Sequence, residues 1–285
     1  MADATPVPPL APPPAGGVVE RAGPAAGHGS RHQGPPLLEV EQLVKHYGGV
    51  RAVDGVSFAV PAGSITGLIG PNGAGKSTVL AVVSGFAPPT GGRIRFAGRA
   101  VTGLPMHRLA RQGMVRTFQL ARVFGGLTTL ENLLVAVPGQ RGLSPLGVVG
   151  GRWIWGGEER RLVKEARRVL RRFGMASKAD DYARTLSGGQ KRAVEIMRCL
   201  MMRPRLLLLD EPMAGLSPRL VTELERILLE LRDEGLALLI VEHELETVDR
   251  LCSTVVAMAH GRVIAEGTMA DLRTRREVQD AYVVG

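Results

Sequence analysis

The strongest chemical signal in the chain is a glycine-rich stretch at residues 70–78. It reads Gly-Pro-Asn-Gly-Ala-Gly-Lys-Ser-Thr and fits the pattern G-x-x-x-x-G-K-[ST]. The glycines allow successive backbone N–H groups to face one anion. Lys76 can place a positive charge on the β- and γ-phosphates, and the Ser77 hydroxyl can ligate Mg²⁺. The pattern predicts a nucleoside triphosphate site formed by Gly70, Pro71, Asn72, Gly73, Ala74, Gly75, Lys76, Ser77 and Thr78.

The neighbouring sequence supports this prediction. Residues 64–69 are a short, largely apolar run typical of a buried strand, and residues 78–83 can open a helix. The positive end of that helix would face the phosphates. An ordinary Gly-rich turn between a strand and a helix is the alternative, and the complete, correctly placed motif disfavours it.

Two further apolar runs end in residues that could hydrolyse a triphosphate. Residues 206–209 are all leucine and precede Asp210 and Glu211, which would stand where parallel sheets bind their ligands. Asp210 can help hold Mg²⁺, and Glu211 can polarise water for attack on the γ-phosphate. The run 236–241 precedes His243, which can donate to the γ-phosphate.

Three other positions are weaker candidates. Gln119 ends a predicted strand at residues 115–119, where it is either surface polarity or a group reaching the metal and the attacking water. Tyr47 is either a strand-edge packing residue or a stacking face for the base. The tetrad Ser187, Gly188, Gly189 and Gln190 predicts a second helix start suited to phosphate, although it also fits an ordinary capped helix.

The remaining sequence indicates which elements position these residues. Residues 1–36 are rich in Pro, Ala and Gly and are predicted to be disordered. Residues 37–98 predict a mostly antiparallel β-section. Helices are predicted at residues 104–113, 127–137, 158–173 and after Ser187, and residues 138–157 are predicted to be an irregular insertion.

Composition limits the class of protein. The chain has 285 residues, of which 45% are apolar and 4% aromatic, so the core must be aliphatic. Two cysteines are too few for a disulfide framework and suit a reducing compartment. The sequence has no apolar run of roughly 18–20 residues and no secretory signal, so we expect a cytoplasmic protein. The net charge of +9 leaves nucleic acid and anionic membranes open as partners.

Taken together, the motifs resemble the nucleotide-binding subunit of an ABC transporter. The resemblance rests on hallmarks in the family's order: Tyr47, residues 70–78, Gln119, residues 186–190, residues 206–211 and His243. It implies an α/β P-loop NTPase fold with a RecA-like parallel core, an antiparallel β-subdomain and an inserted helical subdomain. The nucleotide-binding domain would occupy residues 37–285, with the helical subdomain at about 120–200, and would hydrolyse ATP with Mg²⁺.

The resemblance also implies partners. In this family the residues matching Ser187, Gly188 and Gly189 act on nucleotide held by a second ATP-binding subunit, in a head-to-tail homo- or heterodimer. The dimer serves transmembrane permease subunits at the cytoplasmic face of the membrane and, indirectly, an extracytoplasmic solute-binding protein; no nucleic acid is expected. One departure is Ser217, which stands where the family usually has Asp and leaves cross-dimer contacts there less certain.

A narrower likeness is to branched-chain (hydrophobic) amino acid importers. It is carried by residues 115–119, 131–134, 211–218 and 278–282. Related subunits that energise urea or short-amide uptake, or lipopolysaccharide export, have similar sequences. A soluble ABC ATPase acting on nucleic acid or ribosomes is the other alternative, motivated by the positive charge. Such proteins tend to have two cassettes or a long coiled-coil insertion, and this chain has neither.

Overall fold

The computed structural model describes residues 35–117, 123–138 and 152–283. The strands are β1 (Leu38–Tyr47), β2 (Val50–Val60), β3 (Ile65–Ile69), β4 (Gly91–Phe96), β5 (Arg99–Ala100), β6 (Met114–Arg116), β7 (Leu206–Asp210), β8 (Ala237–Val241), β9 (Thr254–Ala259) and β10 (Arg262–Gly267). The α-helices are α1 (Lys76–Val83), α2 (Met106–Arg111), α3 (Thr129–Val135), α4 (Arg152–Arg172), α5 (Gly188–Met201), α6 (Pro218–Asp233), α7 (Leu245–Leu251), α8 (Met269–Thr274) and α9 (Arg276–Val283). Short 3₁₀ turns lie at Ala176–Lys178 and Ala183–Thr185.

A six-stranded sheet forms the centre of the described fold. Its order is β10-β9-β3-β8-β7-β6, and β10 is antiparallel to β9 while the other pairs are parallel. Every residue of β3, β7 and β8 is buried, as expected for parallel strands covered on both faces. The carboxyl ends of β3, β7 and β8 therefore meet at one edge, where their loops can share a ligand.

A second sheet is antiparallel and has the order β2-β1-β4-β5. It confirms the predicted β-section, with one difference: β3 leaves this section and joins the parallel sheet. Residues of both sheets, including Leu38, Val56 and Leu208, pack with Leu80 of α1 into one apolar core. This packing fixes the start of α1 against the antiparallel sheet.

Helices pack against the parallel sheet. Helices α3, α4 and α5 pack on one another, and residues of α4, α5 and α6 share a core with β7 that includes Leu170, Ile196, Leu207 and Leu228. Cys199 and Cys252 are both free. Within the described residues, none of the helices combines the length and apolarity that a membrane crossing requires.

Two predicted boundaries were wrong. Helix α4 begins at Arg152, so residues 152–157 do not belong to an irregular insertion. Glycines in a helix cost about 1 kcal/mol each relative to alanine, and the strong helix-forming residues that follow Gly156 and Gly157 compensate for this cost. Strand β6 ends at Arg116, short of the predicted strand end at Gln119.

Other predictions fall largely outside the described residues. Of the predicted disordered segment 1–36, residues 1–34 are not described, and neither are residues 139–151 of the predicted insertion. The division of the chain into a tail, a nucleotide-binding domain and a helical subdomain stays a prediction.

Candidate nucleotide site

The loop between β3 and α1 has a backbone that only glycine can follow. Gly70, Gly73 and Gly75 have φ angles of 149°, 79° and 99°. A Cβ on Gly70 would lie 2.1 Å from the Met258 carbonyl oxygen, and one on Gly75 would lie 2.4 Å from the Ala52 carbonyl oxygen. The loop is thus pressed between β9 and β2. Gly70 and Gly75 are required for steric as well as conformational reasons, whereas Gly73 is favoured by its φ angle alone.

Lys76 is buried at the base of this loop. Its Nζ donates to the carbonyl oxygens of Gly70 (2.7 Å) and Pro71 (2.9 Å). Burial lowers the pKa of Lys76, and the charges of Glu211 and Asp210 oppose that shift. The structure therefore brings the loop lysine and both predicted carboxylates into one electrostatic environment.

Ser77 connects the loop to the end of β7. Its hydroxyl donates to Asp210 Oδ1 across 3.5 Å, a long hydrogen bond. A serine hydroxyl and a carboxylate oxygen on neighbouring elements suit Mg²⁺, which takes few protein ligands and completes its shell with phosphate oxygens and water. The described residues contain no cluster of three or more His, Cys, Asp or Glu side chains able to hold a metal. The Ser77 and Asp210 oxygens fit a metal that is shared with bound phosphates.

The other oxygen of Asp210 is held by a buried arginine. Arg116, the last residue of β6, donates from Nη2 to Asp210 Oδ2 at 2.9 Å and from Nη1 to Ser84 Oγ at 3.3 Å. Both partners of the ion pair are almost fully buried, so the Coulomb attraction between them is screened less than in a surface pair, while the burial of the two charges carries a desolvation cost. Arg116 therefore fixes the orientation of the Asp210 carboxylate.

Glu211 and His243 follow the neighbouring strands β7 and β8 at the carboxyl edge of the sheet. Asp210 pairs in register with Val241, and the Glu211 N–H donates to the Val241 carbonyl oxygen at 2.9 Å. Glu211 adopts a left-handed conformation with φ of 49°, which turns the chain sharply after β7. The loops after β7 and β8 line an open cleft of about 770 Å³ that includes His243.

A second carboxylate, Glu242, is buried beside this cleft. Its Oε1 accepts a hydrogen bond from the Met213 N–H at 3.0 Å, which ties the end of β8 to the loop after Glu211. Burial raises the pKa of Glu242. The carboxyl group is therefore easier to protonate in the folded chain than in the unfolded one.

We expect Glu242→Gln to change how stability depends on pH. An acid with a raised folded pKa contributes stability below its unfolded pKa, near 4.5, and that contribution is lost as pH rises through the folded pKa. Glutamine keeps an acceptor for Met213 and has no charge to bury. The stability of the variant relative to the wild type should increase between pH 5 and pH 8, measured as urea unfolding free energies. Glu277→Gln, at an exposed site, is the control; a pH-independent difference for Glu242→Gln would contradict the prediction.

The second predicted helix start is present at α5. Ser187 is the N-cap; its Oγ accepts from the Gln190 N–H at 3.3 Å, and the Ser187 N–H donates to Gln190 Oε1 at 2.9 Å. The side chains of this tetrad thus close a capping box. A Cβ on Gly188 would meet nothing within 4 Å, whereas one on Gly189 would lie 2.8 Å from a Leu220 methyl.

Two residues singled out in the sequence, Tyr47 and Ser217, are exposed, and a third, Gln119, is not described. The Tyr47 ring is 51% exposed at the end of β1, with the Lys45 ammonium 4.7 Å from its centroid. Gln119 lies outside the described residues. Ser217 is the exposed N-cap of α6, without a side-chain capping bond.

Sequence reasoning missed three charged residues that bind groups at the ends of β7 and β8, namely Arg116, Arg192 and Glu242, whose side chains are buried. Arg192 donates to the backbone carbonyl oxygens of Asp210 and Glu211. A signal existed for it, because Arg192 shares a helix face with Ile196 and Cys199, which are spaced by four and seven residues and are buried. A charge on an apolar helix face predicts a buried partner.

Fold and site together define a P-loop nucleoside triphosphatase. The family model described as ABC transporter matches residues 53–214. The chain is 39% identical over 249 residues to the high-affinity branched-chain amino acid transport ATP-binding protein BraF of Pseudomonas aeruginosa, covering 87% of this chain and 98% of that protein. It is 38% identical to a probable branched-chain amino acid transport ATP-binding protein LivG of Archaeoglobus fulgidus, covering 87% and 95%.

Solved structures of ABC transporter cassettes have the same fold as this chain. A crystal structure of the ADP conformation of an ATP-binding cassette of an ABC transporter superposes with a TM-score of 0.74 and 34% identity, covering 88% of this chain and all of the other. A nucleotide-free cassette superposes with a TM-score of 0.73. The chain therefore belongs to the ABC transporter ATP-binding family. It binds nucleotide, hydrolyses ATP and energises a transporter, as the resemblance in its motifs predicted.

Proposed function

We propose that the chain is the ATP-hydrolysing subunit of a membrane importer for branched-chain amino acids. The observation that carries this proposal is the 37–39% identity, over 87% of the chain, to BraF and to LivG proteins whose names state that transport. Urea or short-amide import and lipopolysaccharide export are the alternatives to which related sequences also belong.

Each site residue has a proposed role. The loop of residues 70–78 holds the ATP phosphates, with Lys76 at the β- and γ-phosphates and Tyr47 against the base. Ser77 and Asp210 hold Mg²⁺, together with Gln119. Bound Mg²⁺ would supply positive charge to the phosphate oxygens. Glu211 polarises the attacking water, His243 donates to the γ-phosphate, and Ser187, Gly188, Gly189 and Gln190 act on nucleotide held by a second subunit.

An apolar groove supports a permease as the partner at the membrane. It is a cavity of about 450 Å³ bordered by Met114, Val123, Phe124, Ala136 and Met202. Phe124 is 48% exposed, and the Arg198 guanidinium lies 4.7 Å from the centre of its ring. This chemistry suits a short permease helix with an apolar face. The subunit would then sit peripherally at the cytoplasmic face of the membrane, with an extracytoplasmic solute-binding protein acting through the permease.

The substrate is tested by uptake in cells that carry the gene. Deletion should reduce uptake of radiolabelled leucine, isoleucine and valine at least tenfold, and restoration should require an intact nucleotide site. Complementation with the wild-type gene should recover uptake, and complementation with Lys76→Ala should not, because the variant lacks the phosphate-binding cation.

Urea and acetamide uptake serve as matched controls in the same strains. Unchanged leucine uptake together with lost urea or amide uptake would reassign the substrate. A deletion without effect on any of these solutes, but with defective lipopolysaccharide at the cell surface, would support the export alternative.

A further inference from the structure

Arg192 is a buried cation in the helix that begins with the Ser187–Gly188 cap. Its side chain is 7% exposed, and Nη1 donates to Glu195 Oε2 at 3.3 Å. The pair is an i,i+3 contact within α5, and Glu195 is equally buried. The charge of Arg192 is thus balanced inside its own helix, which leaves its remaining donors for other elements.

Those donors bind the backbone that carries the two predicted active carboxylates. Nη2 donates to the carbonyl oxygen of Asp210 at 2.6 Å and to that of Glu211 at 2.7 Å. The planar guanidinium suits this task because its donors have a fixed geometry. From the opposite side, the Glu211 N–H is bound by the Val241 carbonyl oxygen. The peptide units on both sides of the Glu211 Cα are therefore held in place.

The same helix also carries the cap that is proposed to meet a second subunit's nucleotide. Ser187 and Arg192 are five residues apart, which is about 7.5 Å along a helix axis. A helix moves as a rigid unit over that length, so a displacement of the cap moves the guanidinium with it. At the far end of the helix, the Cys199 thiol lies 3.8 Å from the Arg116 carbonyl oxygen. Helix α5 therefore contacts both β7, which carries Asp210, and β6, which supplies Arg116 to the Asp210 carboxylate.

We propose that Arg192 is a positioning residue, which transmits the position of the Ser187–Gln190 helix start to the Glu211 backbone and so directs the Glu211 carboxylate. This inference rests on the proposed role of Glu211 as the group that polarises water. It assigns no contact between Arg192 and nucleotide. When the start of α5 binds the nucleotide of a second subunit, the hydrogen bonds from Arg192 to the carbonyl oxygens of Asp210 and Glu211 would align Glu211. Subunit assembly would thereby be coupled to ATP hydrolysis.

The test distinguishes positioning of the Glu211 carboxylate by Arg192 from a contribution of Arg192 to the stability of the fold alone. Removing Arg192 alone would leave Glu195 as a buried unpaired carboxylate, so the informative variant is Arg192→Gln in a Glu195→Gln background. Glu195→Gln alone is the matched control, since it keeps the bonds from Arg192 to the two carbonyls, and its Tm gives the cost of leaving the guanidinium without its buried carboxylate. Steady-state ATP hydrolysis of the full chain gives kcat and KM, nucleotide binding is measured with radiolabelled ATP, and Tm is recorded for every variant.

We expect the control to keep kcat within about twofold of the wild type. The double variant should lose at least about tenfold in kcat, with KM and ATP binding changed less than about twofold. Arg192→Lys, with an ammonium in place of the planar fork, should give an intermediate kcat. Should the double variant fail to fold, Arg192→Lys decides alone: a lower kcat at unchanged KM supports the inference, and wild-type kinetics overturns it.

Other outcomes also overturn the inference. These are wild-type kcat in the double variant, a rise in KM at constant kcat, or a loss of kcat that disappears when assays are run at the same interval below each Tm. Glu211→Gln in the same assay distinguishes a failure of the proposed role of Arg192 from a failure of the proposed role of Glu211. If Glu211→Gln is inactive while the double variant is normal, only the role of Arg192 fails. If Glu211→Gln hydrolyses ATP normally, the proposed role of Glu211 fails.

Discussion

Glu211→Gln should reduce ATP hydrolysis about 10²- to 10⁴-fold, the range that a positioned acid–base group contributes. Glutamine has nearly the same shape, and the backbone bonds of residue 211 to Val241 and Arg192 do not involve its side chain. The variant therefore keeps its position and loses only the ability to attract a proton from water. The nucleotide loop is untouched, so binding of radiolabelled ATP should stay within a few-fold of the wild type.

The assembly state provides a second measurement on the same variant. If hydrolysis is what separates two subunits, Glu211→Gln should accumulate as a dimer in MgATP and return to monomer when nucleotide is removed, as measured by light scattering. Glu246→Gln is a suitable control because its side chain is 81% exposed and its interaction with Arg250 spans 3.8 Å. Its hydrolysis and assembly should match the wild type. Hydrolysis by Glu211→Gln within tenfold of the wild type would remove Glu211 from the proposed role.

The nucleotide loop could be predicted from sequence because its requirements are local. The positive φ angles at Gly70, Gly73 and Gly75 favour glycine. The lysine and serine then follow at fixed spacing, so a short pattern encodes the whole cradle. The same holds for β7 and β8, whose fully apolar runs identify parallel strands and place Asp210 and His243 at their ends.

The buried polar contacts could not be predicted in this way. Arg116 reaches Asp210 across 94 residues of sequence, and Met213 reaches Glu242 across 29. Such pairs depend on strand order, and a short apolar strand carries no information about its neighbours. The departure of β3 from the antiparallel section has the same origin, since its pairing with β8 and β9 is decided by segments that come much later in the chain.

These contacts change how the site is understood. Sequence alone presents Asp210 and Glu211 as two carboxylates at a strand end. The structure shows Asp210 held through its side chain by Arg116, and Glu211 held through its backbone by Arg192 and Val241. Burying such charges carries a desolvation cost, and the contacts are concentrated where small displacements would alter chemistry most.

Gly188→Ala should lower ATP hydrolysis at least about tenfold, equivalent to about 1.4 kcal/mol of transition-state stabilisation, without destabilising the fold. An added Cβ at this position would meet none of the described residues of the subunit within 4 Å. Alanine in a helix is also favoured over glycine by about 0.5–1 kcal/mol. The expected loss of activity therefore originates outside the subunit. We attribute it to the nucleotide that a second copy of the chain holds against Gly188.

The design uses Gly157→Ala as its control, since Gly157 is also helical and its added Cβ also meets nothing within 4 Å. Both variants should unfold at or slightly above the wild-type Tm, and both should bind ATP normally as monomers. Only Gly188→Ala should prevent the MgATP-dependent dimer in the Glu211→Gln background. A Gly188→Ala chain that still dimerises and hydrolyses ATP at the wild-type rate would show that the start of α5 does not approach a second subunit's nucleotide.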